Sequence, residues 1–138
     1  MDETRVSVYH DRASQLASAM DLCHDGIGSY ASAVGLLAVH SAISFSDAVL
    51  ICLTGNKPGG QDHKQTVTTI AKACRKAKVQ TEGIKHLAKL VGAKTDIAYG
   101  DKAVENERIE ILYVSAGRFQ AWAERLLKSK GGTHGNDS

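Results

Sequence analysis

Between Ala31 and Leu53 the chain runs for 23 residues with a single charged side chain, Asp47. Nothing else in the sequence limits its fold so strongly. A bilayer span needs about 20 apolar residues, so length alone permits a membrane helix. Against that reading, the run carries His40, Asp47 and the hydroxyls of Ser32, Ser41, Ser44 and Ser46. An Asp near the middle of a span costs roughly 2.5–3.5 kcal/mol. A helix apolar on nearly all sides is also what the centre of a soluble bundle requires, and this is the reading adopted. Its small residues (Ala31, Ala33, Gly35, Ala38, Ala42 and Ala48) would let neighbouring helices approach closely.

The remaining segments supply such neighbours. Tyr9, Ala13, Leu16, Met20 and Cys23 step by 4, 3, 4 and 3, a helical stripe that Asp25-Gly26 ends. The central helix is placed at Ile27–Thr54, with Gly55 as a left-handed cap. Asp62 would cap a third helix, reinforced by Gln65, with Val67, Ile70, Ala71 and Cys74 facing inward. Thr81 would cap a fourth, burying Ile84, Leu87, Ala88, Val91 and Ala98 and ending at Gly100. Asp101 would cap a fifth, from about Lys102 to Lys128, on Ile109, Leu112, Ala116, Phe119, Ala123 and Leu126. No segment reads as strand, and 131–138 reads as a disordered tail. The chain of 138 residues therefore reads as one all-α domain over 1–130, an antiparallel up-and-down bundle of four to five helices.

Its location is read as cytoplasmic. Met1 to Arg5 shows no basic start followed by an apolar core, and Cys23, Cys52 and Cys74 form no Cys-x-x-Cys pair. Six histidines raise the question of a metal, but none stands with another ligand in the arrangement of a known zinc signature, so no metal and no cofactor is read. The glycine-rich loop Gly55-Asn56-Lys57-Pro58-Gly59-Gly60 lacks the spacing of a phosphate-cradling P-loop.

Charge is distributed unevenly. Residues 63–94 hold eight basic groups (Lys64, Lys72, Arg75, Lys76, Lys78, Lys85, Lys89 and Lys94) against Glu82 alone. Such a stripe attracts phosphate-bearing ligands, or else is a solvated face that keeps the domain soluble. The stripe holds no aromatic residue, which argues against a base-stacking platform. Within it Lys85, His86, Lys89 and Lys94 are the candidate ligand-binding residues, with Asp47 as a polar group in apolar surroundings. Lys94, Asp96 and Tyr99 collect where the fourth helix ends, and they are the only catalytic candidates.

Three stretches resemble the HEPN superfamily of nucleotide-binding helical domains. They are AVHSAISFSDAVL (Ala38 to Leu50), HLAKLVGAKTDIAYGDK (His86 to Lys102) and SAGRFQAWAERLL (Ser115 to Leu127). The resemblance implies a helical bundle that dimerises, often a ribonuclease partnered by a nucleotidyltransferase antitoxin, with an R-x4-6-H motif at the end of the fourth helix. Here Lys94 takes the place of that Arg and Tyr99 that of the His. Lysine is a point charge without the bidentate fork of arginine, and a phenol titrating near pH 10 transfers protons poorly at neutrality. The sequence thus points to a non-catalytic, homodimeric module that binds a nucleotide, RNA or an acidic protein partner. The alternatives are a divergent metal-independent ribonuclease and a dimeric scaffold without ligand.

Overall fold

The computed structural model describes residues 3–56 and 63–130. They form five helices: α1 (Glu3–His24), α2 (Ile27–Thr54), α3 (His63–Ala77), α4 (Ile84–Tyr99) and α5 (Asn106–Lys130). No strand occurs among the described residues, and the architecture is the all-α bundle that the sequence predicts. Two antiparallel hairpins, α1–α2 and α4–α5, face each other, and α3 packs on α2 and α4.

α2 sits at the centre, contacted by all four other helices. By length and composition it could cross a bilayer; here the other helices cover it. Val34, Ala38, Val39, Phe45, Ala48, Val49 and Ile51 are buried to within 1% of completely. Two hydroxyls in this apolar run bond back to the helix itself: Ser41 Oγ donates to Ala38 O and Ser46 Oγ to Ile43 O. These two groups are thereby satisfied without a partner from another helix. At Gly35 there is no room for a side chain, because a Cβ would lie 2.8 Å from Ile109 and 3.2 Å from Ile97. That close approach lets α4 and α5 reach the axis of the bundle.

α1 packs its backbone on α2 alone, yet long side chains tie it to α5. His10 Nε2 donates to Glu124 and His24 Nε2 to Glu110, both at 2.7 Å. Between the two pairs the helices advance by the same number of residues in opposite directions, so α1 and α5 are antiparallel. The His24 ring stacks on Tyr113 with centroids 3.8 Å apart, and the Tyr113 hydroxyl donates to Asp21 at 2.7 Å. That bond, with burial and the charges of Asp21, Asp25 and Glu110, pushes the Tyr113 phenol up to about 12.

The ends of the helices depart in places from the sequence reading. Gly55 is the left-handed cap expected, with φ 75°, its N–H donating to Ile51 O. α4 starts at Ile84 behind Gly83, without a side-chain cap, so Thr81 does not fill that role. α5 starts at Asn106, and Asp101 belongs to the turn before it. Ala88 is exposed, and Leu90 takes the buried place. The Asp62 cap and the tail at 131–138 lie outside the described residues.

Gly83 is held against the Trp122 ring, where a Cβ would fall 2.3 Å from Cγ. Gly83→Ala is expected to lower stability by about 1–3 kcal/mol, as overpacking does. Gly92→Ala, on an exposed side of α4 with nothing within 4 Å, is expected to raise it by roughly 0.5–1 kcal/mol. Urea unfolding of the two variants beside the wild type measures both.

Candidate functional site

The basic residues of the middle segment do not stay together once the chain folds. Lys85 and His86 lie in the first turn of α4 and meet Arg118, Trp122 and Arg125 of α5 around a cleft of about 160 Å³. Glu82, in the turn before α4, is the one carboxylate lining it among the described residues, 3.7 Å from Arg125. The floor is Trp122, 5% exposed, whose Nε1 donates to Gln80 O at 3.2 Å and so fixes the α3–α4 turn over the ring. On the other side of Trp122 and Arg125 a second hollow, about 360 Å³, is lined by Lys78, Val79, Gln80, Leu126 and Ser129.

Lys78 closes α3 in an unusual way. Its φ is 60°, the only left-handed non-glycine among the described residues. Its own N–H donates to Arg75 O and that of Val79 to Cys74 O. This is the Schellman pattern, with Lys where glycine is the usual residue. A side chain in this conformation costs roughly 1–2 kcal/mol. The outcome is an ammonium at the edge of the second hollow.

The electrostatics of the cleft register at His86. Burial holds its imidazole below the ordinary histidine value, and the cations of Lys85, Arg118 and Lys89 add to the effect. Three positive side chains from two helices thus act on one ring. A bound anion would reverse that influence by stabilising the imidazolium.

The other candidates stand elsewhere. Lys94 and Tyr99 come together at the far end of α4, the ammonium 5.9 Å from the ring centroid, with Tyr99 77% exposed. Asp96 turns away from them to Arg108 of α5, 3.2 Å off. It lines a hollow of about 570 Å³ at the α4–α5 turn. There Asp96, Asp101 and Glu105 outnumber Lys102 and Arg108, which disfavours an anion. Asp47 is half-buried on α2 with Arg12 of α1 as its charged neighbour, apart from the α4 cations. His40 is exposed two turns away on the same helix.

Sequence reasoning missed Arg118, Arg125 and Trp122, which the α4–α5 hairpin brings to the cleft. Among the described residues no group of three His, Cys, Asp or Glu side chains is placed to hold a metal. Cys74 is buried and Cys52 half-buried, and burial pushes both thiols up, away from the reactive thiolate. No protein-family model matches the chain, and no curated protein matches it.

Asp47 offers a test of the core. Burial pushes its carboxyl up to about 6, with Arg12 pulling partly back. The folded state holds this proton more tightly than the unfolded chain. Its contribution is fully present below the unfolded value of 3.8 and is lost as pH rises through about 6. Asp47→Asn removes that loss. The variant is expected to gain on the wild type between about pH 4 and pH 7, by at most about 3 kcal/mol. Urea unfolding at the two pH values measures the difference; equal pH dependence of both proteins would contradict it.

Proposed function

We propose that this chain is a non-catalytic, phosphate-binding helical module of the HEPN kind, cytoplasmic and homodimeric. Its ligand is a nucleotide or an RNA held at the α4–α5 cleft. The observation that carries the reading is the convergence of Lys85, His86, Arg118 and Arg125 from two helices on one hollow, with a single carboxylate among them. Lys78 and Lys89 extend the positive field to either side. Arginine forks bind phosphate oxygens in pairs, and lysines add charge without fixed geometry.

The cleft itself offers little surface for stacking a base. Trp122 is buried and presents little ring area, so recognition falls on phosphate rather than on bases. For a single strand neutralised by three cations, log K should fall with log salt at a slope of about −2. Lys94 and Tyr99, which stand at the positions of the HEPN catalytic pair, lie at the opposite end of α4. They have no part in the cleft.

Fluorescence anisotropy with a short RNA, and with ATP as competitor, tests the reading. Binding at low salt is expected to be lost when Lys85 and Lys89 become Glu. It should also weaken in Arg118→Ala. Failure of both RNA and ATP to bind at low ionic strength would end the proposal.

Two further outcomes are expected from the same site. Saturating ligand should raise the His86 pKa in an NMR titration, and affinity should strengthen as pH falls through that value. Lys78→Gly should stabilise the fold by about 1 kcal/mol, by relieving the left-handed lysine, while it weakens binding. A variant both more stable and unimpaired in binding would exclude Lys78 from the site.

A further inference from the structure

α5 has an outward face that takes no part in the core, although Arg118 and Arg125 on it also line the cleft with α4. Its inward side is buried at Ile109, Leu112, Ala116, Phe119 and Ala123. On the outward side Glu107, Ile111, Val114, Arg118, Ala121 and Arg125 recur at steps of 4, 3, 4, 3 and 4, and all six are exposed. That is the seam spacing of a two-helix coil. Ile111 is 50% exposed and Val114 46%, so the two largest apolar groups of the stripe face solvent next to each other in its N-terminal half. Beside them Gly117 keeps the surface low, with nothing within 4 Å of where a Cβ would stand.

The order of charges decides what fits there. A second copy laid parallel would set Glu107 on Glu107 and Arg118 on Arg118, which repel. A second copy laid antiparallel, with a two-fold axis between Ile111 and Val114, gives the opposite result. Ile111 then meets Val114 of the partner subunit, and Glu107 meets Arg118 of the partner subunit. Both contacts occur twice by symmetry. Each is a seam pair of the antiparallel type, apolar at the axis and oppositely charged outside it.

We infer that this face of α5 pairs with its own copy, so that the homodimer forms through an antiparallel α5–α5 seam centred on Ile111 and Val114. The inference rests on the homodimeric part of the proposed function and shares Arg118 with the phosphate cleft, so Ile111 and Val114, which do not line that cleft, are the positions that separate the two readings. Self-complementarity is the argument for a second copy rather than another partner: one stripe supplies both the apolar pair and both charges of the ion pair.

Sedimentation equilibrium of the full chain tests it. The wild type is expected to be a dimer. Val114→Arg and Ile111→Glu should each raise the dissociation constant by about tenfold or more, a loss of about 1.4 kcal/mol. Glu107→Arg and Arg118→Glu should each weaken the dimer, and the two together should restore it, because the swap rebuilds the pair with signs reversed. All four positions are exposed, so helical circular dichroism should be unchanged. A monomeric wild type would overturn the inference and leave the stripe to a different partner. So would a dimer indifferent to Ile111 and Val114, or a charge swap without recovery. Failure of the wild-type dimer to bind RNA or ATP at low salt would sink the phosphate reading alone.

Discussion

The structure depends on covering α2. A helix with one charged residue in its 28 must have its sides shielded from water, and all four other helices contribute to that shield. Burial of apolar surface, at roughly 25 cal/mol per Å², is the dominant favourable term in such a fold. The small residues on α2 decide how close the neighbours come. Gly35 admits Ile109 and Ile97 to its backbone, and the α4–α5 hairpin seats there. Once that hairpin is seated, the first turn of α4 lies against the last turns of α5, where the basic cleft forms. The cleft is thus a consequence of how the apolar helix is wrapped.

Much of this was legible in the residues. The period of 3.6, the unbroken apolar run and Gly55 locate all five helices and the exact limits of α2. What the pattern could not give was which polar residue caps a helix when several stand near its start. Thr81 and Asp101 both offer suitable oxygens. At α4 the tight seat of Gly83 on Trp122 fixes the turn, and the helix begins there without a side-chain cap. At α5 the chain must first cross from the end of α4, and helical conformation resumes at Asn106. Tertiary packing overrode local preference at both places.

The candidate site was legible only in part, for a different reason. Residues 63–94 announce their charge because their cations are consecutive in sequence. The C-terminal segment is nearly balanced, so Arg118 and Arg125 looked like ordinary surface residues. Their balancing carboxylates are engaged elsewhere: Glu110 and Glu124 bind the histidines of α1. A sum over a segment cannot register that acids and bases leave the same helix in different directions. Lys94 shows the converse. It belongs to the basic run by sequence but stands beside Tyr99, about two and a half turns along α4 from Lys85.

Two costs coincide at the α4–α5 cleft, and their coincidence is the strongest argument that it is used. Like charges about 4 Å apart in water repel by about 1 kcal/mol, and more where solvent is partly excluded. A surface under no demand would intersperse carboxylates, as the α4–α5 turn does with Asp96, Asp101 and Glu105. The cleft has Glu82 alone. Beside it the chain keeps a lysine in the left-handed conformation, where glycine would relieve the strain. The gathered cations add nothing to the apolar core, whereas the turn at Lys78 also brings Val79 against it. Local departures of this kind persist where a ligand compensates for them. A phosphate group would offset both at once, neutralising the gathered cations and engaging the ammonium that Lys78 presents.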